Sequence, residues 1–224
     1  MKVNAVFISD VHLGTKGSKT KKLLDFLDEV EPNVLYLVGD IIDGWAMERN
    51  NRWTKEHTHV IRKILKISEK IKVIYLAGNH DEFVRPFLKN KFDFGNIQVA
   101  DRVFHEAIDG RKIFVTHGDK FDFWMKVPKW LINIGARITD FFGITDIVSH
   151  SRDMGKSKQR YLRTISTQST IEKYIKLKKI DAAICGHTHI PKIEGPYMNC
   201  GDWVKNCTSL VEHTDGTWEL LEKK

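Results

Sequence analysis

Five short stretches of the sequence place carboxylate, imidazole and amide side chains directly after apolar runs. They read SDVHLG (9–14), GDIIDGW (39–45), GNHDE (78–82), THGD (116–119) and GHTH (186–189). Side chains of these types bind hard and borderline divalent cations, whereas soft metals are held mainly by thiolates. The set contains no cysteine, so its chemistry suits Mn²⁺, Fe or Zn²⁺.

Each stretch also has an ordinary structural interpretation when it is considered alone. His187 and His189 in GHTH can be two polar side chains in a turn. Five such stretches, each at the end of an apolar run, favour metal ligands over chance. His57 and His59 have the same spacing inside a predicted helix, where residues two apart do not share a face. We therefore expect these two at the surface and outside the site. His105, His150 and His213 have no such partners nearby in sequence and are also left out of the site.

The stretches follow predicted strands that alternate with predicted helices. Apolar, β-branched runs at 2–9, 33–40 and 72–81 are typical of buried strands. Apolar residues at helical spacing predict helices over 18–30 and 55–70. This alternation predicts a mostly parallel sheet covered by helices. Because such sheets bind ligands at the carboxyl ends of their strands, we expect the stretches to converge there.

The second half of the chain contains a segment of different character. Strands are predicted at 103–108 and 112–119, joined by an Asp-Gly turn that favours a hairpin. Residues 121–180, called the lid insertion below, have a mostly helical pattern, and a buried strand follows at 181–189. The sequence thus predicts one α/β domain over 1–224 with a helical insertion.

Composition limits the class of protein and of partner. The 224 residues are 42% hydrophobic and 29% charged, as in an ordinary globular protein. The chain has no apolar run of 18 residues, and its N-terminus lacks a signal-peptide pattern, which predicts a cytoplasmic protein. A net charge of +7 favours an acidic partner, which can be nucleic acid, a phosphorylated substrate or anionic lipid. The cysteines are expected to be reduced and buried: Cys185, Cys200 and Cys207.

The ordered set of DxH, GDxxD, GNHD, HGD and GHTH resembles the calcineurin-like metallophosphoesterase superfamily over nearly the whole chain. The resemblance implies a four-layer α-β-β-α sandwich, two β-sheets packed face to face with helices outside, and a site for two metal ions. It makes His80 the catalytic histidine and Asp43 its orienting partner. It assigns Asp10, His12, Asp40 and His189 to one ion, and Asp40, Asn79, His117 and His187 to the other, with Asp40 bridging.

The implied chemistry agrees with these residue types. Two divalent ions about 3.5–4 Å apart lower the pKa of a shared water and bind a phosphoryl oxygen. A neutral Asn79 limits the negative charge that the site presents to an anionic substrate. A protonated His80 stabilises developing charge or protonates the leaving oxygen, an effect of about 10²–10⁴ in rate. We expect Mn²⁺, with Fe or Zn²⁺ as alternatives.

Within the superfamily, the chain is most similar to the UDP-2,3-diacylglucosamine diphosphatase group of lipid A biosynthesis. SDVHLG, GDIIDGW, HGDKFD and the tail YMNCGDWVKNCTSLVE (197–212) carry this similarity. It implies cleavage of a pyrophosphate to release UMP and diacylglucosamine 1-phosphate at the inner face of the membrane. The well-known branch of that group has Arg at the position of His80 and a Thr-Asp-Asp run after its HGD motif. Both are absent here, which indicates a sister branch.

The lid insertion has two features that bear on the substrate. Its apolar stripe either packs on the core or accepts acyl chains or a membrane surface. Its basic stretch, 151–163, is either a solvated face or a binding surface for substrate phosphate or anionic headgroups. The stripe comprises Trp130, Leu131, Ile134, Ile138, Phe141 and Phe142, and the basic candidates are Lys156, Lys158 and Arg160.

Three functions are consistent with these patterns. The first is hydrolysis of UDP-2,3-diacylglucosamine by a two-metal enzyme in peripheral contact with an anionic membrane. The second is a phosphodiesterase or phosphatase for a soluble nucleotide or a nucleic acid, to which the positive charge is equally suited. The third is a scaffold that kept the fold without catalysis. A scaffold would have lost ligands, whereas all seven predicted ligand side chains are present.

Overall fold

A computed structural model describes residues 1–50, 52–90, 93–122 and 151–224. Side chains are described within these ranges except at 50, 89–90, 93–94 and 151–163. The helices are α1 (Thr20–Glu29), α2 (Gly44–Asn50), α3 (Lys55–Ser68) and α4 (Ser151–Lys178). The strands are β1 (Lys2–Ile8), β2 (Glu31–Val38), β3 (Lys72–Leu76), β4 (Asp93–Phe94), β5 (Ile97–Ala100), β6 (Arg102–Glu106), β7 (Lys112–Thr116), β8 (Ala182–Cys185), β9 (Lys192–Glu194), β10 (Tyr197–Asn199), β11 (Thr208–Glu212) and β12 (Trp218–Glu222).

The described strands form two sheets. The larger sheet has seven strands in the order β12-β11-β1-β2-β3-β5-β4, and its central strands β1, β2, β3 and β5 are parallel. The smaller sheet has the order β6-β7-β8-β10-β9, with β7, β8 and β10 parallel. The predicted hairpin forms as β6 and β7. The prediction of a mixed α/β fold with two sheets is confirmed.

Alternating side chains divide the core into layers. Phe7 of β1 and Ile184 of β8 belong to one cluster between the two sheets. Val6 points to the other face of β1, where it joins Leu23 of α1 and Val60 of α3. Helix α4 covers the outer face of the smaller sheet through a third cluster that contains Ile171, Ile175, Phe114, Ala183, Cys185 and Tyr197. The layers are therefore helix, sheet, sheet, helix.

Some predictions lie outside the described residues or were wrong. The apolar stripe of residues 130–142 lies outside the described ranges. Lys156, Lys158 and Arg160 lie on α4, but their side chains are not described. The prediction that His57 is a surface residue is wrong: it is buried and forms a capping box with Thr54 at the start of α3. The three cysteines are free and buried, as predicted. No described helix is long and apolar enough to cross a membrane.

Candidate metal centre

The chain turns sharply at the ends of three parallel strands. Asp10, His12, Asp40, His187 and His189 all have left-handed backbone conformations, with φ between 51° and 65°. A non-glycine residue pays roughly 1–2 kcal/mol for this conformation. Such strain persists where the surrounding structure enforces it, and it concentrates at functional sites. Here it follows β1, β2 and β8, where it directs the predicted ligands to one edge of the sandwich.

Two glycines allow the ligand loops to approach each other. A Cβ atom on Gly78 would lie 2.1 Å from Oδ1 of Asp40, and one on Gly186 would lie 2.4 Å from Oδ2 of Asp10. Both distances are far below van der Waals contact. A side chain at either position would therefore displace a carboxylate of the site.

Backbone amides fix one oxygen of each central carboxylate. The amide of His80 donates to Oδ1 of Asp40 at 2.8 Å, and the amide of His187 donates to Oδ2 of Asp10 at 2.8 Å. The second oxygens face imidazoles. Oδ1 of Asp10 lies 3.1 Å from Nε2 of His189, and Oδ2 of Asp40 lies 3.3 Å from Nε2 of His117. Each carboxylate is thus held by one oxygen and presents the other to the site.

The side chains fit a pair of divalent cations. Nε2 of His12 and Oδ1 of Asn79 are buried without a hydrogen-bond partner among the described residues. Oδ1 of Asp10 and Nε2 of His117 are also buried, and they face other predicted ligands without forming a hydrogen bond there. Buried polar atoms rarely lack partners, so such a cluster indicates an ion. Donor atoms lie within 4.8 Å of one another in three groups. The groups are Asp10, His12 and His189; Asp10, Asp40 and His117; and His12, Asp40 and His80.

The electrostatics of the cluster also favour a cation. Burial lowers the pKa of His12, but Asp10 and Asp43 outweigh burial and raise it to about 10. His117 behaves in the same way beside Asp40, with a pKa raised to about 10. The concentrated negative charge therefore favours positive charge at these positions. Metal ions compete for the same imidazole nitrogens, since a coordinating histidine must be neutral.

His80 and Asp43 lie together beside this cluster. Nδ1 of His80 is 3.0 Å from Oδ2 of Asp43, and the indole of Trp45 lies 4.3 Å from the His80 ring, centroid to centroid. Burial raises the pKa of Asp43, but its contacts with His12 and His80 hold that pKa well below its usual range. Asp43 is therefore an anion that can orient the His80 ring.

His187 lies against a partner that sequence reasoning missed. Its ring is 5.2 Å from that of His117, centroid to centroid, and its Nε2 is 2.9 Å from Oδ2 of Asp122. Asp122 is fully buried and follows the THGD stretch by three residues. The structure thus brings His187 to the site, where its role as a ligand stays a prediction.

Asp81, in the GNHD stretch, supports the loop that carries Asp40. Its Oδ2 accepts hydrogen bonds from the Ile41 amide at 3.1 Å and from the Tyr75 hydroxyl at 2.8 Å. Burial, and then the charge of Asp40, raise the pKa of Asp81 to about 8. The contact joins the ends of β2 and β3.

The tail stretch YMNCGDWVKN packs beneath the site. The Trp203 amide donates to the Asp10 carbonyl at 3.1 Å, and the Asn206 side chain donates to the His189 carbonyl at 2.8 Å. Asp202 in turn accepts hydrogen bonds from the amides of Val204 and Lys205. This loop fixes the backbone of two predicted ligands, a role that the sequence pattern did not disclose.

A cavity of about 140 Å³ opens over the cluster. Asp40, Asn79 and His80 line one part, and His187 and His189 line another. Helix α4 contributes Thr164 to the lining, so the lid insertion borders the site.

Known proteins resemble the chain along most of its length. The model of the calcineurin-like phosphoesterase family matches residues 3–191. A UDP-2,3-diacylglucosamine hydrolase of Vibrio atlanticus is 28% identical, over 97% of this chain and 96% of its own. A protein of the same name from Blochmanniella pennsylvanica is 25% identical, over 88% of this chain and 83% of its own. A solved archaeal phosphodiesterase is 15% identical, with a TM-score of 0.47 over 97% of this chain and 98% of its own.

The family match includes all five stretches whose side chains meet at the strand ends. It also agrees with the two-sheet fold and with a cluster of Asp and His residues suited to divalent cations. This chain therefore belongs to the calcineurin-like phosphoesterase family and is a metal-dependent phosphoester hydrolase.

Proposed function

We propose that the protein hydrolyses the pyrophosphate bond of UDP-2,3-diacylglucosamine, releasing UMP and diacylglucosamine 1-phosphate. The observation that carries this proposal is the similarity to proteins named UDP-2,3-diacylglucosamine hydrolase, at 28% identity over nearly the full length of both chains in one case. The tail stretch 197–212, part of the similarity, lies beyond the family match and supports the predicted ligands Asp10 and His189.

The proposed ligands divide between two ions. Asp10, His12 and His189 would hold one ion, Asn79, His117 and His187 would hold the other, and Asp40 would be a ligand of both. Two bound ions supply an activated water and neutralise charge on the phosphoryl group. Mn²⁺ is the proposed metal, because oxygen and imidazole donors without thiolate suit it.

His80 is proposed to act on the substrate. Its Nδ1 faces Asp43, and its Nε2 lies 4.0 Å from Oδ2 of Asp40, so the ring points into the site. Asp43 orients the His80 ring through Nδ1. From this position a protonated His80 donates a hydrogen bond to the phosphoryl group or a proton to the leaving oxygen.

The proposed substrate is an anion with two long acyl chains. The net charge of +7 favours association with it and with an anionic membrane. Helix α4 reaches the cavity through Thr164, so the lid insertion can contact the substrate beyond its phosphates. We propose peripheral contact with the inner face of the membrane, with Lys156, Lys158 and Arg160 as candidate phosphate or headgroup ligands.

The decisive experiment compares an acylated substrate with its deacylated analogue. Purified protein loaded with Mn²⁺ is given UDP-2,3-diacylglucosamine or UDP-glucosamine, and products are identified by mass spectrometry. Each buried methylene contributes about 0.8 kcal/mol, so a few bound carbons raise kcat/KM by orders of magnitude for the acylated compound. Release of UMP with this preference supports the proposal. Equal kcat/KM values would contradict it.

His80 favours a second candidate function. The well-known lipid-specific branch has Arg at this position, whereas this chain has the histidine of the wider superfamily. A soluble nucleotide or a nucleic acid is then the alternative substrate. Cleavage of a soluble phosphodiester with a higher kcat/KM than that of the acylated UDP-sugar would establish this alternative.

A further inference from the structure

Arg85 joins three segments of the chain next to the candidate metal centre. It belongs to the 3₁₀ segment Glu82–Asn90 that follows the GNHD stretch. Its Nη1 donates to Oδ1 of Asp101 at 3.0 Å, and its Nη2 donates to the Gly78 carbonyl at 3.2 Å and to Oδ2 of Asp119 at 2.7 Å. One guanidinium therefore binds a backbone carbonyl and two carboxylates.

The three partners lie at the points where the two sheets approach the site. Gly78 follows β3 of the larger sheet and precedes Asn79. Asp119 follows β7 of the smaller sheet and lies two residues after His117. Asp101 is the single residue between β5 and β6, where the chain crosses from one sheet to the other. Arg85 thus connects the loop that carries Asn79, after β3, to the loop that carries His117, after β7.

The chemistry of arginine suits this position. The planar guanidinium presents donors in fixed directions. Hydrogen bonds between charged groups are stronger than those between neutral groups. The Arg85 side chain is 24% exposed and that of Asp119 is 12% exposed, so solvent screens their contact only in part. Two carboxylates compensate the charge of Arg85, which leaves it to position the loops rather than to attract substrate.

We propose that Arg85 is a positioning residue that sets the separation of Asn79 and His117, and thereby the affinity of the metal ion that these two residues share. The inference rests on the ligand assignment made under the proposed function. The other ion takes Asp10, His12 and His189, which lie on loops that Arg85 does not join. Loss of Arg85 should therefore weaken the binding of one ion and leave the binding of the other unchanged.

The test titrates metal-free protein with Mn²⁺ by calorimetry and follows free Mn²⁺ by electron paramagnetic resonance. Removing a partner that orients metal ligands typically costs 10–100-fold in affinity. Arg85→Met should weaken one of two sites by about this factor and leave the other unchanged. Arg85→Lys keeps the positive charge but lacks the planar set of guanidinium donors, so its loss of Mn²⁺ affinity should be smaller. The kcat for an aryl phosphodiester should fall at limiting Mn²⁺ and recover at saturating Mn²⁺.

Lys120→Met is the matched control. Lys120 also binds Asp101, at 2.5 and 2.6 Å, but its side chain is 51% exposed. Removing it should leave both Mn²⁺ affinities at the wild-type value. The melting temperature of each metal-free variant is also measured. A variant that loses Mn²⁺ affinity without a lower melting temperature has lost ligand positioning and not overall stability.

Two results would overturn the inference. One is an Arg85→Met variant with both affinities unchanged, and the other is an equal loss at both sites. Wild-type protein that fails to bind two ions would overturn it together with the ligand assignment. Wild-type protein that binds two ions but does not cleave acylated UDP-sugar contradicts only the proposed substrate, because the metal titration involves no substrate.

Discussion

Oδ2 of Asp43 lies 3.0 Å from Nδ1 of His80. The same oxygen also lies 3.0 Å from Nδ1 of His12, so one carboxylate contacts a predicted metal ligand and the predicted catalytic histidine. A carboxylate on one ring nitrogen fixes the orientation of an imidazole and increases the basicity of the other nitrogen. The Nε2 atoms of both rings face Asp40, at 3.9 Å for His12 and 4.0 Å for His80. Asp43 thus connects a predicted metal ligand to the predicted catalytic histidine.

His80→Ala tests the division between metal ligand and catalytic group. We expect the variant to keep two bound Mn²⁺ and to lose about 10²–10⁴ in kcat, because a positioned general acid contributes this much. Metal content by mass spectrometry and kcat for an aryl phosphodiester give the two readings.

His80 belongs to one of the three donor groups, so its position also permits metal binding. Loss of a metal ion from His80→Ala would identify His80 as a ligand and contradict the assigned role. His80→Arg should retain part of the activity, because Arg also donates hydrogen bonds from this position.

Asp40→Ala removes the carboxylate proposed to bridge the ions. We expect binding of both ions and phosphodiesterase activity to be lost together. His59→Ala is the control, because His59 is exposed on α3 and should leave metal content and kcat unchanged. Two tightly bound ions in Asp40→Ala would mean that Asp40 does not bridge them.

Gly78→Ala tests the close approach of the ligand loops. Its Cβ would meet Oδ1 of Asp40 at 2.1 Å and the Asp40 amide nitrogen at 2.5 Å, so the Asp40 loop must move. We expect lost metal binding and a free energy of unfolding lower by about 1–3 kcal/mol, as for other overpacked sites. Metal content and urea unfolding measure the two effects.

Gly110→Ala provides a comparison for this variant. Gly110 has a φ of +84°, and a Cβ atom added there would meet nothing within 4 Å among the described residues. Alanine at this position therefore costs only backbone strain of about 1–2 kcal/mol. Its metal content should equal that of the wild type. Full metal occupancy in Gly78→Ala would show that the Asp40 loop tolerates the displacement.

The sequence predicted the strands that carry the site because each is a continuous apolar run that stops near a polar residue. β4 and β5 were missed because they lack such a run. Asp122 and Asn206 were missed for a different reason. Each contacts a histidine more than 15 residues away, at 2.9 Å and 2.8 Å, and only the folded chain brings these partners together.

His57 shows how a local rule can give the wrong environment. Spacing alone excluded a shared face with His59 and placed both at the surface. The structure instead uses the His57 side chain to accept a hydrogen bond from the Thr54 amide, which caps the first turn of α3. A cap depends on where a helix begins, and helix boundaries are the least certain feature of a sequence pattern.

A buried polar network lies between the sheets, away from the metal centre. The Tyr36 hydroxyl is 2.9 Å from Nδ1 of His105, and Nε2 of His105 is 2.8 Å from Oε2 of Glu212. Glu212 also accepts hydrogen bonds from Asn4 and from the Ile108 amide. These contacts connect β1, β2 and β11 of the larger sheet to β6 of the smaller one. The network therefore contributes to holding the two sheets together.

Glu212→Gln tests the contribution of this network to stability. Burial raises the pKa of Glu212, but hydrogen bonds from His105, Asn4 and Ile108 outweigh burial and lower it below its value in the unfolded chain. A lowered pKa contributes stability above the unfolded value, near pH 4.5, and loses it as pH falls through the folded value. We expect the variant to be less stable by about 1–3 kcal/mol at pH 7. Urea unfolding from pH 7 to pH 3 should then show the two free-energy curves converging below about pH 4.5, whereas parallel curves would mean that the charge of Glu212 contributes nothing.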